Sequence, residues 1–227
     1  MSAAETVKLT IDDIAVEVPK GTGLVEAAAV AGIEIPVFCY EPRLGPPVGA
    51  CRMCLCQVEP GPPKPQAACT LTAQDGMVVR TALTSPVAAE AQNATLEFIL
   101  VNHPLDCPVC DKGGECPLQD LTFRYGPGNT RMTFPKRTFE KPIPVSPLIA
   151  LDRERCILCY RCTRFSEDVA EDGRLVAINR GAQSVIATFE DEPYRGHFSG
   201  NVTEICPVGA LTATPYRFVA RPWEIQN

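Results

Sequence analysis

Residues 7–18 alternate apolar and polar positions twice. Val7-Lys-Leu-Thr-Ile11 carries one run, Asp12-Asp13 breaks it, and Ile14-Ala-Val-Glu-Val18 carries the next, the pattern of a β-hairpin. An alanine-rich stretch to Ala31 follows, with Thr22 placed to cap a short helix and Gly32 to close it. Residues 55–59 and 77–80 read as short strands. Ser85-Pro86 opens a helix, a cap followed by proline at the first helical position. Residues 87–101 are rich in apolar side chains, so a buried helix is expected, stopped by Asn102-His103-Pro104. Further on, a short helix is expected after Cys162, with strands over 175–178 and 184–188. Between them, residues 126–147 hold five prolines with Arg131, Lys136, Arg137 and Lys141. That composition predicts an extended connector whose charges form a solvated surface.

Composition narrows the class. Of 227 residues, 45% are hydrophobic and 21% charged, so the chain is globular rather than disordered. A net charge of −6 argues against a non-specific binder of nucleic acid or of anionic membranes. No stretch approaches the ~20 apolar residues of a membrane span. The first residues lack a basic segment followed by an apolar run, so no secretory signal is expected and the cytosol is the default compartment. Gly21-Thr-Gly23 resembles the start of a dinucleotide loop, but Glu26 stands at the third glycine position and no parallel βαβ unit follows.

Twelve cysteines are too few for a disulfide scaffold. In a reducing compartment, spaced cysteines bind metal more often than they pair. They fall into three groups. Cys39, Cys51, Cys54 and Cys69 are spaced C-x11-C-x2-C-x14-C. Gly45, Pro46, Pro47 and Gly49 lie in the first loop and let backbone wrap around a compact object. Four thiolates so spaced suit a two-iron cluster; structural zinc is the alternative. His103, Cys107, Cys110 and Cys116 are spaced H-x3-C-x2-C-x5-C. Three cysteines so near make His103 a ligand rather than a helix-exit residue, and a four-iron cluster with mixed ligation is expected, with a zinc knuckle as alternative. Gly113-Gly114 would let amides point at cluster sulfurs. Cys156, Cys159 and Cys162 follow the C-x2-C-x2-C of bacterial ferredoxins, and Cys206-Pro207 supplies a distant fourth ligand to a second four-iron cluster. Cys56 shares a strand face with Val58 and is left out as a buried hydrophobe. His197 lies in a polar stretch and reads as a surface residue.

At these residues the chain resembles the N-terminal part of the G subunit of bacterial NADH:quinone oxidoreductase, respiratory complex I. The stretches are Phe38-Cys39, Gly49-Ala-Cys-Arg-Met-Cys-Leu55, Asn102 to Cys116, Leu151-Asp-Arg-Glu-Arg-Cys156 and Ile205-Cys-Pro-Val-Gly-Ala-Leu211. The resemblance implies an α+β chain: a β-grasp 2Fe-2S ferredoxin-like domain over 1–84, then a 4Fe-4S domain over 85–125 with one His and three Cys ligands. A proline-rich linker over 126–148 and a ferredoxin-like 4Fe-4S domain over 149–227 would complete it. It implies partners too: a flavin- and NADH-binding subunit and a small 2Fe-2S subunit upstream, and quinone-side iron–sulfur subunits downstream. The expected place is cytoplasmic, peripheral to the inner face of the cell membrane, with no nucleic acid and no direct membrane span. Members of that family usually continue into a long molybdopterin-oxidoreductase-like region. A split subunit, a trimmed piece and a short relative such as the diaphorase small subunit of an NAD-reducing hydrogenase all stay open.

The expected function is therefore electron relay by one 2Fe-2S and two 4Fe-4S clusters, from an NADH/flavin subunit towards quinone. It would be an enzyme subunit without a substrate site or catalytic residue of its own. The alternatives are the relay subunit of an NAD-linked hydrogenase or formate dehydrogenase, and a zinc-stapled interaction module.

Overall fold

The computed structural model describes residues 5–225, and the chain divides into two compact units. The first takes in the residues up to Tyr40, Pro47–Phe98 and Tyr125–Pro127. The N-terminal alternation folds as expected into β1 (Thr6–Ile11) and β2 (Ile14–Pro19), antiparallel with Ile11 opposite Ile14. Asp12 and Asp13 both take positive φ, 44° and 67°, the two-residue turn whose twist matches the strands. The Asp12 carboxylate also accepts from the Thr81 amide at 2.8 Å and from its hydroxyl, which pins the turn to the end of the sheet.

Helix α1 (Leu24–Val30) buries Leu24, Ala27 and Ala28. Thr22 does not cap it. Its hydroxyl donates instead to the Pro19 carbonyl at 2.7 Å, and Gly23 occupies the cap position with no side-chain bond. Gly32 closes the helix at φ +73°, with the Ile33 amide reaching back to the Ala28 carbonyl, a turn that favours glycine. Strands β3 (Leu55–Glu59), β4 (Gln66–Ala67) and β5 (Val78–Arg80) complete a five-stranded sheet of order β2-β1-β5-β3-β4. Only β1 and β5 run parallel. The core lies between this sheet and α1, from Leu9, Ile11 and Val18 through Leu24 and Ala28 to Val58 and Val79.

Helix α2 (Pro86–Leu100) starts where expected, with the Ser85 hydroxyl accepting from the Ala88 amide at 3.2 Å. It is not a buried helix. Only Ala88, Gln92 and Leu96, one narrow stripe at four-residue steps, are buried, and Phe98 is 82% exposed. Apolar residues are spread around this helix, and only the stripe with a common direction reaches the core.

The second unit comprises Glu41–Pro46, Ile99–Arg124 and the residues from Gly128 onward. It contains α3 (Pro117–Tyr125) but for its last residue, β6 (Ile143–Pro144), β7 (Ile149–Leu151), the short α4 (Arg161–Arg164), β8 (Leu175–Ile178), β9 (Val185–Thr188), α5 (Asn201–Ile205) and β10 (Leu211–Ala213). Strands β10, β7 and β6 form one antiparallel sheet and β8 pairs with β9. Residues 126–147 are almost without regular structure, but their basic side chains are tied down rather than merely solvated. The Lys136 ammonium donates to the carbonyls of Leu100 and Val101 at 2.7 and 3.0 Å, at the end of α2, where a cation meets free carbonyls. Lys141 pairs with Asp106 at 2.7 Å and with Glu154 at 2.5 Å.

The two facing residues of the first hairpin differ in burial, Ile11 at 0% exposure and Ile14 at 47%. Ile11→Ala should cost about 2–5 kcal/mol through the cavity it leaves, and Ile14→Ala within about 0.5 kcal/mol. Urea denaturation of both variants checks the difference.

Candidate metal centres

All twelve cysteines are free thiols, and only Cys107 is exposed. The first group sits at the edge of the first unit's core, on the loop after Phe38, at the start of β3 and on the turn after β4. Cys39 hydrogen-bonds with Cys51 and with Cys69, and Cys69 also with Cys54, so the four thiols form one connected set. Backbone amides converge on it. The Cys51 sulfur accepts from the amides of Cys39 at 3.4 Å and Met53 at 3.5 Å, and the Cys39 sulfur from the Cys51 amide at 3.4 Å. Bonds from Cys51 and Cys69 pull the Cys39 thiol far down, while its partners Cys51 and Cys69 are pushed up. Cys56 stands apart, fully buried on the β3 face that also carries Val58, its thiol pushed up first by burial.

The third group encloses a cavity. Cys156, Cys159, Cys162 and Cys206 line one apolar cavity with Leu151, Ile186 and Leu211, holding ≈ 350 Å³ of empty space, part of it open to solvent. Burial raises Cys156 to about 12 and pushes Cys159 and Cys162 further up; Cys206 adds a like charge to each. Burial thus favours the neutral thiol, and binding as thiolate needs a cation in place of the proton.

In the second group, Cys110 and Cys116 are buried and their thiols are raised first by burial, with Cys107 adding to both. His103 lies on the turn leaving α2. Burial pushes its imidazole down to about 4, and the cations of Lys136 and Arg155 push the same way. The ring is therefore neutral near pH 7, the form that binds metal. Its Nδ1 is buried with no hydrogen-bond partner. Among the described residues, no three His, Cys, Asp or Glu side chains close up to the span of a single metal ion; the thiols are grouped but not drawn onto one point. Soft thiolates with convergent amides and an unpartnered imidazole fit iron–sulfur ligation.

One backbone device recurs in all three groups. The amide two residues after a cysteine donates to its sulfur: Met53 to Cys51, Lys112 to Cys110, Leu118 to Cys116, Leu158 to Cys156 and Arg161 to Cys159. At Cys51 and Cys159 the intervening residue is left-handed, Arg52 at φ 60° and Tyr160 at 61°; Leu158, the donor to Cys156, is itself left-handed at 52°. None is glycine, so each costs roughly 1–3 kcal/mol. Such alternation of backbone handedness aims amides into an anion-binding concavity. The sequence gives no warning of it, because Arg, Leu and Tyr do not favour that region. Gly113 and Gly114 do not serve the sulfurs as expected. The Gly113 amide goes to the Cys110 carbonyl and the Gly114 amide to the Gln119 side chain. Their glycine character answers crowding: a Cβ at Gly113 would lie 2.8 Å from the Cys107 carbonyl, and one at Gly114 would overlap the Trp223 ring.

A last contact brings the second and third groups together. At Gly209, three residues after Cys206, a Cβ would overlap the Cys110 sulfur. Gly209→Ala should therefore destabilise by about 1–3 kcal/mol through overpacking, whereas Gly128→Ala, with open space around it, should change stability by less than about 0.5 kcal/mol. Denaturant midpoints of the two variants check this.

Comparison with known proteins matches three consecutive stretches. Residues 4–83 match a 2Fe-2S iron–sulfur cluster binding domain, 92–131 the NADH-ubiquinone oxidoreductase-G iron–sulfur binding region, and 146–212 the ferredoxin-like domain of NADH-quinone oxidoreductase subunit 3. The NADH-quinone oxidoreductase G subunit of Streptomyces coelicolor is 55% identical over 97% of this chain, which spans 26% of that protein. The NADH-ubiquinone oxidoreductase 75 kDa subunit of Reclinomonas americana is 46% identical over 97% of the chain and 31% of its own length. A crystal structure of NAD+-reducing [NiFe]-hydrogenase in the H2-reduced state contains a chain that superposes with a TM-score of 0.82 at 28% identity, covering 94% of this chain and 90% of that one. Along nearly its whole length, then, this chain matches an iron–sulfur-binding region of the NADH-quinone oxidoreductase G subunit, and it spans about a quarter to a third of its curated relatives.

Proposed function

We propose that this chain is an electron relay within an NADH-quinone oxidoreductase, passing electrons from an NADH/flavin subunit towards quinone. The observation that carries the reading is the sorting of eleven cysteines into three separate groups, each with backbone amides aimed at its sulfurs. Each group falls within a different iron–sulfur family match. Cys39, Cys51, Cys54 and Cys69 hold a 2Fe-2S cluster on a β-grasp domain over 1–84. His103, Cys107, Cys110 and Cys116 hold a 4Fe-4S cluster in 85–125. Cys156, Cys159, Cys162 and Cys206 hold another in a ferredoxin-like domain over 149–227, joined through the segment 126–148.

When bound, such clusters accept and release single electrons. The chain supplies everything else. Its thiolates and His103 anchor the iron, its amides stabilise negative charge on sulfur, and Leu151, Ile186 and Leu211 give the third group an apolar wall. His103 brings no charge of its own, so its site carries one negative ligand fewer than the third.

The partners are a flavin- and NADH-binding subunit and a small 2Fe-2S subunit on one side, and quinone-side iron–sulfur subunits on the other. The complex sits at the inner face of the cell membrane; among the described residues no helix is long and apolar enough to cross it. A second reading, relay in an NAD-linked hydrogenase, is favoured by the structural match to the NAD+-reducing enzyme. Co-purification decides between them: membrane-arm subunits support the first, a nickel–iron subunit the second.

Anaerobic metal analysis with low-temperature EPR tests the relay itself. About ten irons per chain, in one two-iron and two four-iron signals, are expected. Stoichiometric zinc and silent spectra, with iron loss excluded, would leave a structural module instead. Cys56→Ser should retain all three signals. His103→Cys should keep its cluster and lower that cluster's midpoint potential, because a charged ligand replaces a neutral one; an unmoved potential would remove His103 from the ligand set.

A further inference from the structure

Arg155 immediately precedes Cys156 of the third group, yet its side chain serves the second. It is 5% exposed. Its guanidinium donates to Asp106 Oδ2 at 3.0 Å and to the Val109 carbonyl at 3.3 Å, and its Nε lies 3.2 Å from Asp152 Oδ2. Asp106 and Val109 belong to the loop that carries Cys107 and Cys110. From the other side, a Cβ placed on Gly209 would overlap the Cys110 sulfur and lie 3.6 Å from Arg155 Cδ, so the arginine stem and the Cys110 sulfur flank the same point of the loop that follows Cys206.

We propose that Arg155 is the buried counter-charge of the His103, Cys107, Cys110 and Cys116 centre, a positioning and tuning residue lent to that centre by the ligand loop of its neighbour. A guanidinium held in place by two carboxylates and a carbonyl cannot swing to water. A fixed cation beside the thiolates favours the more negative, reduced state of whatever they bind. It adds to the effect of the neutral imidazole, so the centre has two independent reasons to accept an electron more readily. A lysine would keep the charge but lose the fork that grips Asp106 and Val109 together.

The proposal rests on the ligand assignment above, and its test separates the two. Redox titration followed by EPR is run on the cluster-loaded chain in its complex, the centre being identified by its response to His103→Cys. Arg155→Gln is expected to move the midpoint of that centre to a more negative value and leave the other two in place. Arg155→Lys is expected to recover most of the loss. Should the Gln variant fail to accumulate, with Asp106 and Asp152 left facing each other, Asp106→Asn decides. It removes negative charge from the same network and is expected to move the same centre positive. An unmoved midpoint in Arg155→Gln, or in Asp106→Asn where that variant decides, overturns the proposal, as do equal shifts in all three centres. A wild-type chain lacking the two four-iron signals overturns the ligand assignment and the proposal together.

Discussion

Buried sulfur is the constraint from which the rest of this structure follows. A thiolate in apolar surroundings is costly, and a thiol there is a poor ligand. The chain meets both problems first with its backbone. The amide two residues beyond a cysteine turns back to its sulfur, at Cys51, Cys110, Cys116, Cys156 and Cys159. In the first and third groups the next thiol follows one residue beyond this amide, at Cys54, Cys159 and Cys162; at Cys107 the corresponding amide, that of Val109, binds the Asp106 carbonyl instead. The strain at Arg52, Leu158 and Tyr160 is tolerated because a relaxed turn would point those amides elsewhere.

That logic explains what could be read from the sequence and what could not. The first hairpin was legible because its alternation and its Asp-Asp turn agree, and β3 and β8 because short β-rich runs stand between breakers. The grouping of thiols was legible from spacing alone. Thr22 was misread as a cap because a hydroxyl before a helix has a second option, the carbonyl three residues back, and Pro19 supplies it. Helix α2 was misread as buried because its apolar residues were counted without regard to direction. The left-handed residues left no trace, since tertiary demand overrides their own preference. Lys136 and Lys141 read as surface charge, because nothing local to them says that Leu100, Val101, Asp106 and Glu154 lie within reach.

The middle cysteine loop shows the same dependence on distant chain most plainly. Between Ile99 and Arg124 the buried apolar side chains are Leu118 and Leu121, besides the thiols of Cys110 and Cys116, far too little to hold a fold alone. Its shape is imposed from elsewhere in the second unit. Arg221 donates to the carbonyls of Pro108 and Cys110, the Phe218 amide binds Asp111 at 2.8 Å, and the Trp223 ring lies over Gly114. Arg155 and Lys141 hold the opposite side through Asp106. A loop fixed by carbonyl and carboxylate contacts keeps its thiols at set distances without a hydrophobic core beneath them. Most of those contacts come from cations: Arg221 holds two carbonyls of the loop, and Arg155 and Lys141 hold its acid Asp106. The residues that fix the position of these thiols thus also carry charge beside them, so the geometry and the electric field of this loop are set together.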